Sequence, residues 1–364
     1  STGDWTPTLT AAAGELAGIA TLMGESGLGV LQVVSDFADF DQEMAGVIGM
    51  AEASGRPLSI SVAQSYQRPD DWRRILGAIA EANTRGLRVT AQVAARPVGV
   101  LLGLQATIDP TRVSETARSL LHLPHAERVA QLSRPEIKEA VAAEMQHTSS
   151  RFPWDRVFPL GDPPDYEPAP KDSIEAEAGR TGAAPAVVAL DHLLDDAGRA
   201  FLYVPFLNYA EGNLDSVRAM LEDDHSVVGL GDGGAHVGTI SDGSFPTTML
   251  THWVRDRTRG ERLDLASVVA KQTSGTARMI GLHDRGLLRE GMKADVNVID
   301  LDNLLLHRPT MAFDLPAGGK RLLQRADGYL HTIVSGREVY AGGEHTGELP
   351  GRLVRGAQPV PASS

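Results

Sequence analysis

The chain has 364 residues, of which 42% are hydrophobic, and it carries no cysteine and a formal net charge of −13 at pH 7. This size and apolar content suffice for a buried core, and a single α/β barrel can reach such a length. The acidic balance disfavours nucleic acid and anionic membranes as partners, because both would repel the surface. Without cysteine, disulfides and thiolate metal sites are excluded, so a metal ion would need His, Asp or Glu ligands.

The beginning of the chain indicates a part of something larger. The first strong pattern, at Ala11–Glu25, predicts a helix rather than a strand, and Ser1 is not an initiator methionine. A processed or tagged N-terminus would explain the same observation. There is no signal-peptide pattern and no apolar run of the roughly 20 residues that a membrane helix needs. We therefore expect a cytoplasmic enzyme.

A repeat of about thirty residues predicts a parallel sheet. Apolar, β-branched segments alternate with amphipathic helical stretches, and a glycine closes each helix, which is typical of βα units. A fourth strand comes much later and is followed by two further helices. The predicted strands are Gly27–Asp36, Arg56–Ser65, Gly86–Ala95 and Ser226–Gly231, and the predicted helices are Asp39–Ala53, Asp70–Thr84, Pro246–Arg257 and Leu265–Gly281.

Between the third and fourth strands, over residues 97–224, the repeat is interrupted. Phe152–Pro170 is rich in proline and predicts an irregular loop, while its flanks Val113–Gln146 and Ile174–Asp196 predict helices. An insertion between barrel strands often forms a wall or lid of the active site. A surface elaboration without function is the alternative.

The last part of the chain predicts β-structure. Gly286–Asp300 and Gly328–Tyr340 indicate strands with tight turns, at Gly291 and at the pair Ser335-Gly336. We therefore divide the chain into residues 1–282, which contain the insertion 97–224, and a β tail at 283–364.

The segment Val227–Ser244 carries the strongest candidate for chemistry. An apolar strand runs directly into Asp232, which glycines surround. In a parallel barrel the carboxyl ends of the strands face the active site, so this carboxylate would point at a ligand. A helix-capping role for Asp232 is the equally simple alternative. His236 could contact substrate or metal, or simply pack in its loop.

Several familiar catalytic patterns are absent from the sequence. It contains no H-x-H pair, no H-E-x-x-H motif and no G-x-S-x-G motif. Gly229–Gly234 lacks the glycine spacing of a dinucleotide site, and Asp232 would repel a pyrophosphate there.

Three segments resemble the amidohydrolase superfamily. Gly286–Asp300 looks like the hairpin that follows the barrel in that superfamily, and Lys271–Gly286 looks like the preceding helix. Together with the Asp-Gly-Gly-Ala-His segment at 232–236, the match is most similar to the D-aminoacylase branch, the N-acyl-D-amino-acid deacylases. The resemblance implies the C-terminal half of a metal-dependent (β/α)8 TIM barrel, strands five to eight, with part of a β-sandwich.

The resemblance also implies a reaction. Asp232 would bind a metal ion and act as general base in the deacylation of N-acyl-D-amino acids, taking a proton from a metal-activated water. One divalent metal, with zinc as the expected ion, would be bound in the full-length protein, and none would be held tightly by these residues alone. Relatives that bind zinc place histidines at the ends of strands five and six, where this sequence has Val34 and Val62.

Two further residues stand at or just beyond strand ends. Gln64 and Arg96 could contact the substrate, and the guanidinium fork of Arg96 suits a carboxylate, although a structural ion pair is as good an explanation.

Two other functions stay open, namely hydrolysis of a cyclic amide, as in hydantoinase-like relatives, and a non-catalytic barrel that serves as a binding or scaffold module. Because half a barrel leaves two open sheet edges, we expect that the chain needs the other half or an oligomer partner and is inactive alone.

Overall fold

The computed structural model describes residues 13–147, 153–231, 234 and 236–361. Every helix within these residues is too short or too polar to traverse a lipid bilayer. The strands are β1 (Leu31–Val33), β2 (Leu58–Val62), β3 (Val89–Ala94), β4 (Val98–Leu102), β5 (Phe158–Leu160), β6 (Phe201–Leu207), β7 (Ser226–Gly229), β8 (Val296–Ile299), β9 (Leu305–Leu306), β10 (Thr310–Leu315), β11 (Gly319–Leu323), β12 (Ala326–Asp327), β13 (Tyr329–Val334), β14 (Arg337–Ala341) and β15 (Glu344–His345).

The helices are concentrated in the first 280 residues. They are α1 (Ala13–Ser26), α2 (Phe40–Ser54), α3 (Asp71–Thr84), α4 (Glu115–Ser119), α5 (His125–Leu132), α6 (Pro135–His147), α7 (Ile174–Thr181), α8 (Pro185–Gly198), α9 (Asp215–Glu222), α10 (Phe245–Thr248), α11 (Leu265–Ala270) and α12 (Thr276–Met279). The first turn of α10 continues as a π-helix over Met249–Asp256, and a second π-helical stretch, Lys271–Gly275, joins α11 to α12.

The four strands predicted from the repeat form one parallel sheet in the order β1-β2-β3-β7. Parallel neighbours require helical crossovers, and α2 and α3 supply them between the first three strands. The helix ends follow the predicted chemistry. Asp39 caps α2 by accepting a hydrogen bond from the Gln42 amide, and Gly55 ends it in the left-handed conformation at φ 60°. The parallel α/β prediction is therefore confirmed.

The two faces of this sheet differ in character. Side chains alternate along each strand, and on one face Leu58, Ile60, Ala91 and Val93 are almost completely buried in one cluster with residues of α2 and α3. The other face is polar. Gln32 donates there to Gln92 across the sheet (3.3 Å). The face that the helices cover thus provides the core, while the polar face is only partly covered.

The polar face also contains buried groups without partners. The hydroxyls of Ser59 and Ser61 have no hydrogen-bond partner among the described residues, although they are hidden from solvent. β1 and β7 end the sheet, so that each leaves one edge without a neighbouring strand in the part of the chain described.

The segment between β3 and β7 contains more regular structure than the sequence predicted. β4, β5 and β6 form an antiparallel sheet in the order β4-β6-β5, packed against α6, α7 and α8. β5 lies inside the stretch that was predicted as an irregular loop. That prediction was wrong for Phe158–Leu160, because these three residues pair with β6 and two of them are buried.

The tail consists of small antiparallel sheets. β15, β14, β13 and β8 form the largest, and the pairs β10–β11 and β9–β12 form two more. Ser335 and Gly336 both have positive φ values (52° and 76°), as a tight turn between β13 and β14 requires. Gly291 also has a positive φ of 80°, but no hairpin forms there, since only β8 follows within Gly286–Asp300.

Candidate active site at the carboxyl end of the parallel sheet

The carboxyl ends of β2, β3 and β7 lie side by side, and each continues into a predicted site residue. Gln64 comes two residues after β2, and Arg96 two residues after β3. Asp232 follows β7 by three residues in sequence, but it lies outside the residues that the structure describes. The sheet order therefore brings the strands that lead to these three residues together, as predicted from parallel pairing.

Arg96 is buried, with 2% of its surface exposed, and is held by neutral groups. Its guanidinium donates to Ser244 Oγ (2.9 Å), Thr248 Oγ1 (3.1 Å) and the Ser241 carbonyl (2.6 Å). It also lies 3.6 Å from the centre of the Tyr166 ring. Its described hydrogen-bond partners are therefore all neutral, the Phe245 ring lies 4.8 Å from the guanidinium, and Asp242 lines a small pocket together with Arg96.

The loop after β7 is fixed by main-chain hydrogen bonds to two other parts of the fold. From the segment after β3, the Thr107 amide donates to the Gly238 carbonyl and the Leu101 amide to the Thr239 carbonyl, both at 2.8 Å. From the tail, the Leu322 amide donates to the Val237 carbonyl at 2.7 Å. Residues 237–239 are thus positioned by contacts that are distant in sequence.

Gln64 is fully buried, and both the oxygen and the nitrogen of its side-chain amide form hydrogen bonds. Its Oε1 accepts from the Ala210 amide (3.0 Å), and its Nε2 donates to Glu211 and to Ser216 Oγ (2.9 Å). Its backbone pairs with Asn208 in both directions. These contacts favour an anchoring role, in which Gln64 holds the segment that leads into α9, over the predicted substrate contact.

His236 has an exposed side chain and a positive φ of 51°. Its carbonyl accepts hydrogen bonds from the amides of Thr239 (2.8 Å) and Ile240 (3.0 Å), which closes the turn. The backbone of His236 therefore shapes the loop, while its imidazole is accessible to a ligand.

A cavity of about 320 Å³ lies beside Arg96. Tyr166, Glu167, His252 and Leu304–Leu306 contribute to its wall, so that it is bounded by the segment between β3 and β7, by the π-helix and by the tail. The structure thus places Arg96 between a closed polar cluster and a space large enough for a small ligand.

A buried ion cluster forms the floor of this cavity. Arg257 donates through Nε and Nη2 to both oxygens of Glu167 (3.0 Å each) and through Nη2 to Asp215 (2.7 Å). His252 Nε2 lies 3.0 Å from Glu167 Oε2. Burial raises the pKa of Glu167, but the contacts with His252 and Arg257 outweigh it and lower the pKa to about 2.

Comparison with known proteins identifies the family. A model of the amidohydrolase family matches residues 4–340. The chain belongs to the amidohydrolase family. This family comprises hydrolases of carbon–nitrogen bonds, so that the recognition made from the segments at 232–236 and 271–300 is confirmed.

Individual amidohydrolases support the D-aminoacylase branch. The N-acyl-D-aspartate deacylase of Alcaligenes xylosoxydans xylosoxydans is 32% identical over 114 residues, which are 31% of this chain and 21% of that protein. Two solved structures of D-aminoacylase, one from work on its binuclear metal center, align with 94% of this chain at 18% identity and TM-scores of 0.51 and 0.52. The D366A mutant of D-aminoacylase in complex with copper chloride gives a TM-score of 0.53 at 17% identity. The chain spans about three fifths of the length of these structures (59% to 61%).

The described residues of this amidohydrolase do not form a metal site by themselves. No group of three or more His, Asp or Glu residues among them is placed to hold an ion. β2 ends in Val62, which is fully buried, and Val34 directly after β1 is exposed, so neither strand end offers a donor atom. A metal ion held by three or more such side chains would therefore need at least one donor from outside the described residues.

Sequence reasoning missed the residues that hold Arg96. Arg96 donates to Ser244 and Thr248, and the tail residue Gln324 is hydrogen-bonded to Ser244 and Tyr166. None of these four partners lies in a recognisable motif. Tyr166 alone carried a signal, because a large aromatic side chain in an otherwise polar, proline-rich segment often packs against the core.

Proposed function

We propose that the complete protein to which these 364 residues belong hydrolyses the amide bond of N-acyl-D-amino acids. The observation that carries the proposal is the position of Arg96. Its buried guanidinium lies at the carboxyl end of a central parallel strand of an amidohydrolase, next to the strand that leads to Asp232. A substrate that ends in a carboxylate would supply the negative charge that the described partners of Arg96 lack.

The fold proposal follows from the same sheet. The four parallel strands would be strands five to eight of a (β/α)8 TIM barrel, and residues 97–224 would be an insertion that forms a wall of the active site. Residues 283–364 would contribute part of a β-sandwich. The two open edges and the polar face of the sheet support this assignment, because further strands would cover both.

Asp232 would act as the general base. A carboxylate within hydrogen-bond reach of the attacking water accepts its proton and can later pass it to the leaving nitrogen, which typically accelerates hydrolysis by about 10²–10⁴-fold. The amides of Leu101, Thr107 and Leu322 anchor residues 237–239, a few residues beyond Asp232 in sequence. His236, with its exposed imidazole, would contact the substrate at the mouth of the site.

A single divalent ion, zinc in our proposal, would have Asp232 as its ligand from this chain. Val34 and Val62 limit the number of donors that these strand ends supply, which supports one ion rather than two. When bound, such an ion provides a water nucleophile at neutral pH.

The chain would require a further partner to be active. The partly covered polar face and the two sheet edges would be completed by the other half of a barrel or by an oligomer partner. Expressed without either, the 364 residues would be inactive and would not give the sharp, dispersed amide spectrum of a well-folded monomer.

The test uses the complete protein and its Asp232→Asn variant with N-acyl-D-amino acids and hydantoins as substrates. We expect hydrolysis of the N-acyl-D-amino acid, a loss of about 10²–10⁴-fold in kcat in the variant and an unchanged Tm. An Asp232→Asn protein that keeps its rate would exclude this carboxylate as the base. Preferred hydrolysis of hydantoin would instead identify a cyclic-amide hydrolase.

A non-catalytic binding or scaffold module is the second candidate, since Val34 and Val62 occupy strand ends where zinc-binding relatives would have ligands. Metal analysis of the complete protein distinguishes the two. One bound ion whose removal abolishes hydrolysis excludes the scaffold function, whereas a protein without metal or activity supports it.

A further inference from the structure

Gln324 joins the tail to the candidate active site. It lies directly after β11 and makes four side-chain hydrogen bonds. Its Oε1 accepts from Ser244 Oγ (2.6 Å) and Ser241 Oγ (3.4 Å), and its Nε2 donates to the Tyr166 hydroxyl (3.0 Å) and the His307 carbonyl (2.8 Å). One tail residue therefore touches both the loop after β7 and the segment after β3.

These contacts close a ring around Arg96. Arg96 donates to Ser244, Ser244 donates to Gln324, Gln324 donates to the Tyr166 hydroxyl, and the Tyr166 ring stacks on the Arg96 guanidinium at 3.6 Å. The four residues come from four separate parts of the chain, namely the end of β3, the insertion, the loop after β7 and the tail. No member of the ring can move far without breaking the contact on either side of it.

The direction of the hydrogen bonds in this ring is fixed. Arg96 can only donate, so Ser244 Oγ must accept from it and use its single hydrogen for another acceptor. Gln324 Oε1 is that acceptor, at 2.6 Å. The amide of Gln324 thereby selects the hydroxyl orientation that holds the Arg96 guanidinium in place.

We propose that Gln324 is a positioning residue, which acts through Ser244 and Tyr166 to aim the Arg96 guanidinium at the carboxylate of the substrate. The inference rests on the proposed function of Arg96 but adds a role for the tail. The β-structure after residue 283 would then complete the binding site for the substrate carboxylate, in addition to any contribution to stability.

The main experiment compares Gln324→Leu with Arg321→Gln in the complete protein. Leucine has a similar size but no polar atom, so it removes the contacts with Ser244 and Tyr166. Arg321 lies three residues earlier in the same hairpin and pairs only with Asp314 in the contacts that the structure describes, which makes it a matched control. KM and kcat are measured with an N-acetyl-D-amino acid and with its neutral carboxamide analogue.

We expect Gln324→Leu to raise KM for the acid about tenfold, since an oriented hydrogen bond to a charged group is lost, with a much smaller change for the neutral analogue and for kcat. Adding Ser244→Ala should cause little further change, because both substitutions break the same link. Arg321→Gln should leave all these values as in the wild type. Equal KM values for the acid in Gln324→Leu and Arg321→Gln would overturn the proposal, and so would additive effects of Gln324→Leu and Ser244→Ala.

Hydrogen exchange gives a readout that does not depend on activity. We expect the amides of Thr239, Ile240 and Thr248, whose hydrogen bonds hold the loop and the first turn of α10, to exchange about fivefold faster in Gln324→Leu than in Arg321→Gln. If the wild-type protein hydrolyses no N-acyl amino acid, the proposed function fails but this comparison still decides whether Gln324 positions the loop. Unchanged exchange in Gln324→Leu would show that it does not.

Discussion

Two buried arginines in this molecule are held in opposite ways. Arg257 is almost completely buried and faces two carboxylates, one of them through a bidentate contact with Glu167. Arg96 is as deeply buried, but its described hydrogen-bond partners are two hydroxyls and a carbonyl. The first arginine is hydrogen-bonded directly to carboxylates, whereas the described hydrogen-bond partners of the second are all neutral.

The difference matches what a structural role for Arg257 and the proposed binding role for Arg96 would require of the same type of side chain. A buried charge with ionic partners is costly to disrupt, because the remaining partner is left uncompensated in a medium of low dielectric constant. A buried charge with neutral partners leaves only unpaired dipoles behind when it is removed. Burial alone does not distinguish the two arginines, and the chemistry of their neighbours does.

Arg257→Met is expected to give the largest loss of stability. The substitution removes the bidentate cationic partner of the buried Glu167 carboxylate, which should cost about 3–5 kcal/mol in the free energy of unfolding. Urea unfolding of the complete protein at pH 7, followed by circular dichroism, measures the change. A loss below about 1 kcal/mol would show that the cluster contributes little and would remove the contrast with Arg96.

The ion pair between Glu167 and Arg257 should make the stability of the protein depend on pH. Its pKa of about 2 lies below the ordinary value of 4.5, so its contribution to stability is complete above about pH 4.5 and is lost as pH falls towards 2. We expect the stability difference between wild type and Glu167→Gln to shrink over this interval. Urea midpoints measured from pH 6 down to pH 2.5 test it, and a difference that stays constant would contradict the assignment.

Arg96→Met is expected to lower the stability of the protein less than Arg257→Met does, but to weaken substrate binding. Its removal takes the hydrogen-bond donor away from Ser244, Thr248 and the Ser241 carbonyl. This loss should lower the free energy of unfolding by about 1–2 kcal/mol. KM for an N-acyl-D-amino acid should rise by about tenfold or more, because the substrate carboxylate loses its cation. An Arg96→Met protein with unchanged KM would assign Arg96 to the structural group with Arg257.

Arg321→Gln provides the baseline for an exposed arginine. Arg321 forms a bidentate pair with Asp314 at the surface of the β10–β11 hairpin, where solvent and salt screen the charges. We expect no measurable change in Tm at 150 mM salt. A fall in Tm as large as that in Arg96→Met would mean that burial of the guanidinium does not determine how much stability is lost when an arginine is replaced.

The parallel sheet was predictable because local patterns define it. β-Branched segments at a spacing of thirty residues, the glycine after α2 and the capping Asp39 all act over a few residues. The insertion sheet was missed for the opposite reason. β5 has only three residues, one of them Pro159, and it lies within a proline-rich stretch. Only its pairing with β6, more than forty residues later, makes it a strand.

The candidate site was predictable in its position but not in its surroundings. Arg96 could be placed at a strand end from the sequence, and the carboxyl ends of parallel strands lie at the same edge of a sheet. Its contact with Ser244 spans 148 residues, and the contact of Ser244 with Gln324 spans another 80. No periodicity or motif encodes such pairs, because they depend on how the loop, the insertion and the tail pack together.

The indole of Trp253 donates to the Ala95 carbonyl at 2.6 Å, one residue before Arg96. Trp253 is fully buried in the π-helix that follows α10. The end of β3 and this helix are therefore linked by the side chain of Trp253, whose fluorescence emission depends on its exposure to water. A ligand that shifts Arg96 would also disturb this hydrogen bond, so Trp253, one of four tryptophans in the sequence, would report binding through its intrinsic fluorescence without an added label.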